Sequence, residues 1–128
     1  MTGISWRPGC PLSLDALRLV DVDHWRPDGS ISRGQVIVAA KVAALVLRAF
    51  RHYFHTRFPI TRMSPVYKFG GSDDRSMKVD NTSAFNCRKM TGGSRWSEHA
   101  YGMAIDINPF KNPYVKGKLV LPASARSW

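Results

Sequence analysis

The residues best suited to chemistry lie together in Ser97-Glu98-His99-Ala100-Tyr101-Gly102-Met103-Ala104-Ile105-Asp106-Ile107-Asn108. From Tyr101 to Asn108 the types alternate, which predicts a core strand. Alternate residues of a strand share a face. Gly102, Ala104, Asp106 and Asn108 would then line one side, while Met103, Ile105 and Ile107 enter the core. The first side has minimal bulk around one carboxylate, leaving room for an ion or a substrate beside Asp106. His99 stands just before the strand, close enough to bring its imidazole to the same point. An imidazole and a carboxylate meeting at one point make half of a zinc site. Spacing alone favours the simpler alternative, an ordinary hydrogen-bonded His–Asp pair.

Carboxylates are scarce elsewhere. The chain has 128 residues, with 19 Lys and Arg against 9 Asp and Glu, for a net charge of +10. Glu98 is the single glutamate. This length is that of one domain, residues 1–128, and 44% hydrophobic residues suffice for one modest core. Such a composition excludes an intrinsically disordered or low-complexity chain. The basic excess suits an anionic partner, whether nucleic acid, an acidic membrane surface or a cell wall, and equally suits a solvated basic face. No apolar run approaches the ~20 residues of a membrane span. The stretch Val36–Phe50 is interrupted by Lys41 and Arg48. The N-terminus shows no basic start followed by an apolar block, so no signal peptide is visible.

Several elements must position the 97–108 segment. Residues 1–16, rich in Pro and Gly, read as an irregular lead-in. Leu17–Trp25 alternates and predicts a strand, Pro27-Asp28-Gly29-Ser30 a turn, and Ile31–Val38 a second strand of the same hairpin. From Ala39 to Arg57 the period becomes helical, with Val42, Leu45, Val46, Ala49, Phe50, Tyr53 and Phe54 as the apolar stripe; Pro59 ends it. His52 and His55 fall away from that stripe. Ile60–Val66 reads as a further strand, and Gly70–Thr91 as a long ordered loop or a set of turns, which in compact domains usually serves function. Pro109, Pro113, Gly117 and Pro122 divide the remainder into turns and short extended pieces. The expected class is α+β, one long helix packed on a mostly antiparallel sheet.

Cys10 and Cys87 each sit in a turn-like setting. A disulfide tying the N-terminal segment to mid-chain is the reading adopted, with two independent thiols as the alternative; a zinc site of two cysteines alone is less favoured than either.

The pattern Ser97-x-His99-x-x-Gly102-x-Ala104-x-Asp106, continued by Ile107-Asn108, resembles the zinc motif of the M15 peptidases. These are D-alanyl-D-alanine carboxypeptidases, D,D-dipeptidases and L-alanyl-D-glutamate endopeptidases acting on bacterial peptidoglycan. Asp80-Asn81-Thr82-Ser83-Ala84-Phe85-Asn86-Cys87-Arg88 and Thr91-Gly92-Gly93 look like an actinobacterial branch of that family, and the likeness runs from about Trp6 to the C-terminus. The resemblance implies a D,D-peptidase/hedgehog-type fold and a catalytic Zn²⁺ with His99 and Asp106 as two of its three protein ligands. Ser97 would hydrogen-bond substrate near the metal, or else serve as a turn or capping serine. Arg88 would pair with a substrate carboxylate or stabilise the oxyanion, or else lie solvated at the surface. Asn81, Thr82 and Ser83 would line the cleft or simply build the turn. The implied substrate is a peptidoglycan stem peptide and the implied location exported or cell-wall associated, for a monomer.

The chain departs from the family in one respect. The family supplies a third ligand, a histidine, near its C-terminal end, and a carboxylate shortly before it acts as general base on water at the metal. Here no histidine follows His99 and no carboxylate follows Asp106. His24, His52 and His55 precede the motif, and Glu98 stands at the wrong place for the base. The expectation is a C-terminally incomplete domain whose catalytic base is unknown and whose activity is nearly nil. Two rivals are a non-catalytic relative that binds wall peptide or another protein, and a small basic nucleic-acid-binding domain, for which no signature is present.

Overall fold

The computed structural model describes residues 1–90 and 92–110, together with the backbone of 114–116 and 119–121. Its class is α+β. The hairpin pairs β1 (Leu17–Trp25) antiparallel with β2 (Ile31–Ala39), in register from Leu17↔Ala39 to Trp25↔Ile31. The connecting turn closes through Arg26 N–H to the Ser30 carbonyl at 2.8 Å and Ser30 N–H to Asp28 Oδ1 at 2.9 Å, with Gly29 at φ +86°. A short acidic side chain beside a glycine able to adopt positive φ is what such a turn requires.

After a 3₁₀ turn at Ala40–Val42 the chain enters α1 (Ala43–His55). Val46 and Phe50 of α1 pack on Val20, Val22, Val36 and Val38 of the hairpin, together with Ile60, Met63 and Ala84. The apolar stripe is rotated from the one expected. Leu45 is exposed at 62%, and Ala49 is exposed too, while Ala43, Leu47 and Tyr53 join Val46 and Phe50 against the core. The i, i+3, i+4, i+7 series therefore starts at Ala43. The helix is also shorter than Ala39–Arg57. Its last turn closes at Thr56, and Arg57 takes φ +57°. Among the described residues, no helix is long and apolar enough to cross a membrane.

Three further expectations are corrected. The strand placed over Ile60–Val66 shrinks to β3 (Arg62–Met63), which pairs in parallel with β4 (Asn81–Thr82). The 70–91 loop contains a short helix, α2 (Asp73–Lys78); the Ser72 hydroxyl caps it by accepting the Arg75 N–H, and Asp73 and Asp74 occupy its first turn. Tyr101–Asn108 is not a strand. A 3₁₀ turn occupies Glu98–Tyr101, Gly102 turns left-handed at φ +66°, and Asn108 does so at φ +46°. Between them, among the described residues, the chain pairs through a single bridge, between Asp106 and Ser83. Met103 is exposed at 45% and Asn108 is buried at 5%, both against expectation, while Ile105 packs against the core as expected. In place of one larger antiparallel sheet, the described strands form three two-stranded pieces, the last of them β5 (Tyr114–Lys116) against β6 (Leu119–Leu121). Those two are short extended pieces near the expected positions; Pro113, Gly117 and Pro122, and Thr91 of the motif, lie outside the described residues.

A second apolar cluster, Leu17, Ile37, Phe85 and Cys87, is covered by Met1, Trp6, Cys10 and Leu12 of the N-terminal segment. Cys10 and Cys87 are disulfide-bonded with Cα atoms 6.0 Å apart, across 77 positions of chain. Closing a loop of that length in the unfolded state corresponds to about 4.5 kcal/mol. The Cys10→Ser/Cys87→Ser variant should lose about that much unfolding free energy in urea. A loss below about 1 kcal/mol would mean that the lead-in is held by its own packing instead.

Candidate functional site

The site is organised by a buried run of chain. Every residue from Asp80 to Cys87 is buried, yet only Asn81 and Thr82 lie in a strand. Buried backbone outside regular structure must find partners one by one. Phe85 N–H donates to the Ile37 carbonyl of β2 at 2.9 Å, and Cys87 N–H to the Ser5 carbonyl at 2.9 Å. Ser83 and Asp106 exchange two hydrogen bonds, N–H to carbonyl, at 3.1 and 2.9 Å. Those two bonds set the position of the Asp106 backbone.

Ser97 starts the turn that carries His99. Its buried hydroxyl accepts the His99 N–H at 3.2 Å, which is the capping arrangement. The turn ends at Gly102, where a Cβ would lie 2.5 Å from the Ala39 backbone nitrogen. Ala39 N–H donates to the Gly102 carbonyl at 3.0 Å, so the motif glycine permits a backbone-to-backbone dock onto the end of β2.

The two central side chains meet. His99 Nε2 stands 3.3 Å from Asp106 Oδ2. The other ring nitrogen, Nδ1, is 2.7 Å from the Ala84 carbonyl. A carbonyl only accepts, so Nδ1 carries a proton. In the neutral ring Nε2 then presents a lone pair to a carboxylate, and two acceptors face each other. That arrangement is stable only with positive charge shared between them, a second proton or a cation. Burial pushes the His99 pKa down, but the hydrogen bond and charge of Asp106, with the Ala84 carbonyl, outweigh it and raise the pKa from the usual 6.5.

The same geometry suits a metal. Two ligand atoms each ~2.0–2.1 Å from a tetrahedral ion stand ~3.3–3.4 Å apart. A His whose far nitrogen donates to a carbonyl also has the orientation that metal-ligating histidines usually have. The pair thus fits two zinc positions. Among the described residues, no group of three His, Cys, Asp or Glu converges on one point. His52 and His55 are exposed on α1, Glu98 is exposed, and His24 is buried in the hairpin.

Arg88 is half-buried and already paired. Its Nε pairs with Asp73 at the start of α2, and Nη1 donates to the Lys89 carbonyl at 3.2 Å. Asn86 Nδ2 donates to the same Asp73 at 3.0 Å. Arg88 lies near enough to His99 for its charge to oppose ring protonation. Asn81 and Thr82 build structure and are fully buried. Asn81 Oδ1 accepts the Ser64 N–H at 2.9 Å, and the Thr82 hydroxyl accepts the Asn108 N–H at 3.0 Å.

Two participants were not legible in advance, the Ala84 carbonyl and Asp80. Asp80, at φ +55°, accepts from the Thr61 hydroxyl at 2.6 Å and from Phe110 N–H at 2.9 Å, securing the chain that leaves Asp106. A backbone carbonyl has no signature in residue type, and Asp80 reads locally as a turn residue.

The fold and the pair define an α+β domain with two metal-ligand-type side chains on adjoining turns. The family model of D-alanyl-D-alanine carboxypeptidase in the M15 group, the family that the motif resembles, matches residues 91–128, so this segment is similar to that family. No curated protein matches the chain. No solved structure does either.

A group whose pKa is raised on folding adds stability below its unfolded value and loses it as pH rises through the folded value. In the metal-free protein, the His99–Asp106 pair should therefore stabilise the fold below pH 6.5 and progressively less above it. NMR titration of the His99 ring should give a midpoint above 6.5 in the native chain. In Asp106→Asn the midpoint should fall below that value, because burial then dominates. An unchanged midpoint would contradict the pairing.

Proposed function

We propose that the chain carries the zinc half-site of an M15-type metallopeptidase acting on peptidoglycan stem peptides. One observation carries the reading: His99 Nε2 and Asp106 Oδ2 converge at a tetrahedral ligand spacing, within the segment matched by the carboxypeptidase family. His99 and Asp106 would hold Zn²⁺, which when bound supplies Lewis-acid chemistry. Ala84 fixes the His99 tautomer through its carbonyl. Ser97 sets the turn and keeps its own hydroxyl proton to offer to a substrate oxygen. Arg88 supplies the guanidinium for a substrate carboxylate, which would exchange with Asp73 as its anionic partner. The hedgehog-type fold belongs to the same proposal. No third ligand or general base is assigned among the described residues.

An exported, wall-associated location is part of the reading, supported by the Cys10–Cys87 bond, since disulfides persist in oxidising compartments. The basic charge suits an anionic wall. A second reading, a non-catalytic relative that binds wall peptide, is favoured by the lack of a third ligand among the described residues.

The test is hydrolysis of muropeptide stems by the purified chain with added Zn²⁺, beside its Asp106→Ala and His99→Ala variants. Missing a general base removes ~10²–10⁴-fold of rate, and incomplete coordination removes more. The expected result is near-zero turnover with weak zinc binding that His99→Ala abolishes. Retention on purified wall without turnover would favour the second reading. Robust turnover lost in Asp106→Ala would show that another residue of this chain completes the site, and the incomplete-site account would be wrong.

A further inference from the structure

A different part of the molecule gathers positive charge without a metal-type ligand pair. The turn end of the hairpin and β3 border an open cavity of about 210 Å³, which shares no residue with the His99–Asp106 site. Arg26, Arg33 and Arg62 line it, with Ser32, Ser64 and the buried His24, and none of its lining residues is a carboxylate. The three arginines come from separate segments: the turn after β1, strand β2 and strand β3.

Packing brings them together. His24 and Ser32 are cross-strand partners, and one pair further along the same face of the hairpin Val22 faces Gly34. A Cβ on Gly34 would lie 2.5 Å from Met63 Cε and 3.0 Å from the His24 ring. Glycine there lets Met63, 3% exposed, sit directly on the hairpin. The neighbouring Arg62 is thereby held at the His24–Ser32 end. Arg33 is partly neutralised by Asp23, its Nε 3.0 Å from Oδ1. Arg26 and Arg62 make no ion pair among the described residues.

Three guanidinium groups around one concavity repel one another unless an anion lies between them. Each guanidinium presents a planar fork of donors suited to oxyanions. Three guanidinium forks, with Arg33 paired to Asp23 and Arg26 near the exposed Asp28, and two serine hydroxyls still outnumber what the two oxygens of a carboxylate can accept. A tetrahedral oxyanion, with more oxygens spread in three dimensions, matches them better.

We propose that this cavity is an oxyanion site for a phosphate group, either the free ion or a phosphodiester of an anionic polymer. The full chain is titrated at fixed ionic strength with inorganic phosphate and, separately, with an oligomer of glycerol phosphodiesters. Backbone amide shifts of Ser32 and Arg62 report binding. Both ligands should perturb these amides, and the Arg26→Gln/Arg62→Gln variant should weaken binding at least ~10-fold. Both side chains are exposed, so the fold tolerates the change, and the single Arg62→Gln variant should show a smaller loss in the same direction. Lys41→Gln, an exposed charge outside the cavity, should leave binding unchanged. Tighter binding of the oligomer, per phosphate, would identify the polymer as the source. Binding of the free ion alone would identify the ion. Three results would overturn the site: no shift at Ser32 or Arg62, equal weakening by Lys41→Gln, or acetate binding as tightly as phosphate.

Discussion

Eight residues, Asp80 to Cys87, run buried through the molecule with almost no regular structure to satisfy their polar groups. A buried donor or acceptor without a partner costs about 1–3 kcal/mol, so each of these groups dictates the position of something else. The amide of Phe85 fixes the run to β2, and Cys87 fixes the N-terminal segment through both its amide and its disulfide. Ser83 places Asp106 by two backbone bonds, and Ala84 orients the His99 ring through its carbonyl. Asn86 N–H also donates to the His99 carbonyl, at 3.2 Å. The His99 and Asp106 side chains are thus placed by neighbouring residues of one run, which is why they meet although neither lies in a strand or an α-helix.

The site's electrostatics follow from that placement. Ala84 holds the Nδ1 proton, which turns the Nε2 lone pair toward Asp106. The pair is then incomplete without added positive charge. Arg88 adds a nearby cation that opposes protonation, while Asp73 and Asn86 hold it in place. The Arg88–Asp73 contact joins α2 to the run leading into the site, so the short helix has a positioning role that its length alone would not suggest.

Much of this was legible in the residues, and the failures have physical causes. Period-two alternation gave the hairpin, and the Pro-Asp-Gly-Ser turn gave its reversal. The helix was legible too, but its phase was not. Leu45 and Ala49 have the right type and spacing, yet the hairpin covers the neighbouring stripe beginning at Ala43. The alternation of Met103, Ile105 and Ile107 imitates a strand. It is overridden by the Ser97 cap, the left-handed Gly102 and the left-handed Asn108, local backbone choices that period counting ignores. Ser72-Asp73-Asp74 was a cap signal for α2 within a segment read as loop. His99 and Asp106 stood out because type and motif coincide, whereas Ala84, which orients the ring, contributes only a carbonyl.

Under the proposed reading, His99 and Asp106 would be two ligands of one metal position. The most direct measurement is a crystal of this chain grown with Zn²⁺ and recorded on both sides of the zinc absorption edge. The account predicts an anomalous peak between the two side chains, ~2.0–2.2 Å from His99 Nε2 and from an Asp106 oxygen. His99 Nδ1 should remain on the Ala84 carbonyl. Zinc found only at the exposed His52 and His55 of α1, with His99 still 3.3 Å from Asp106 and nothing between them, would contradict it.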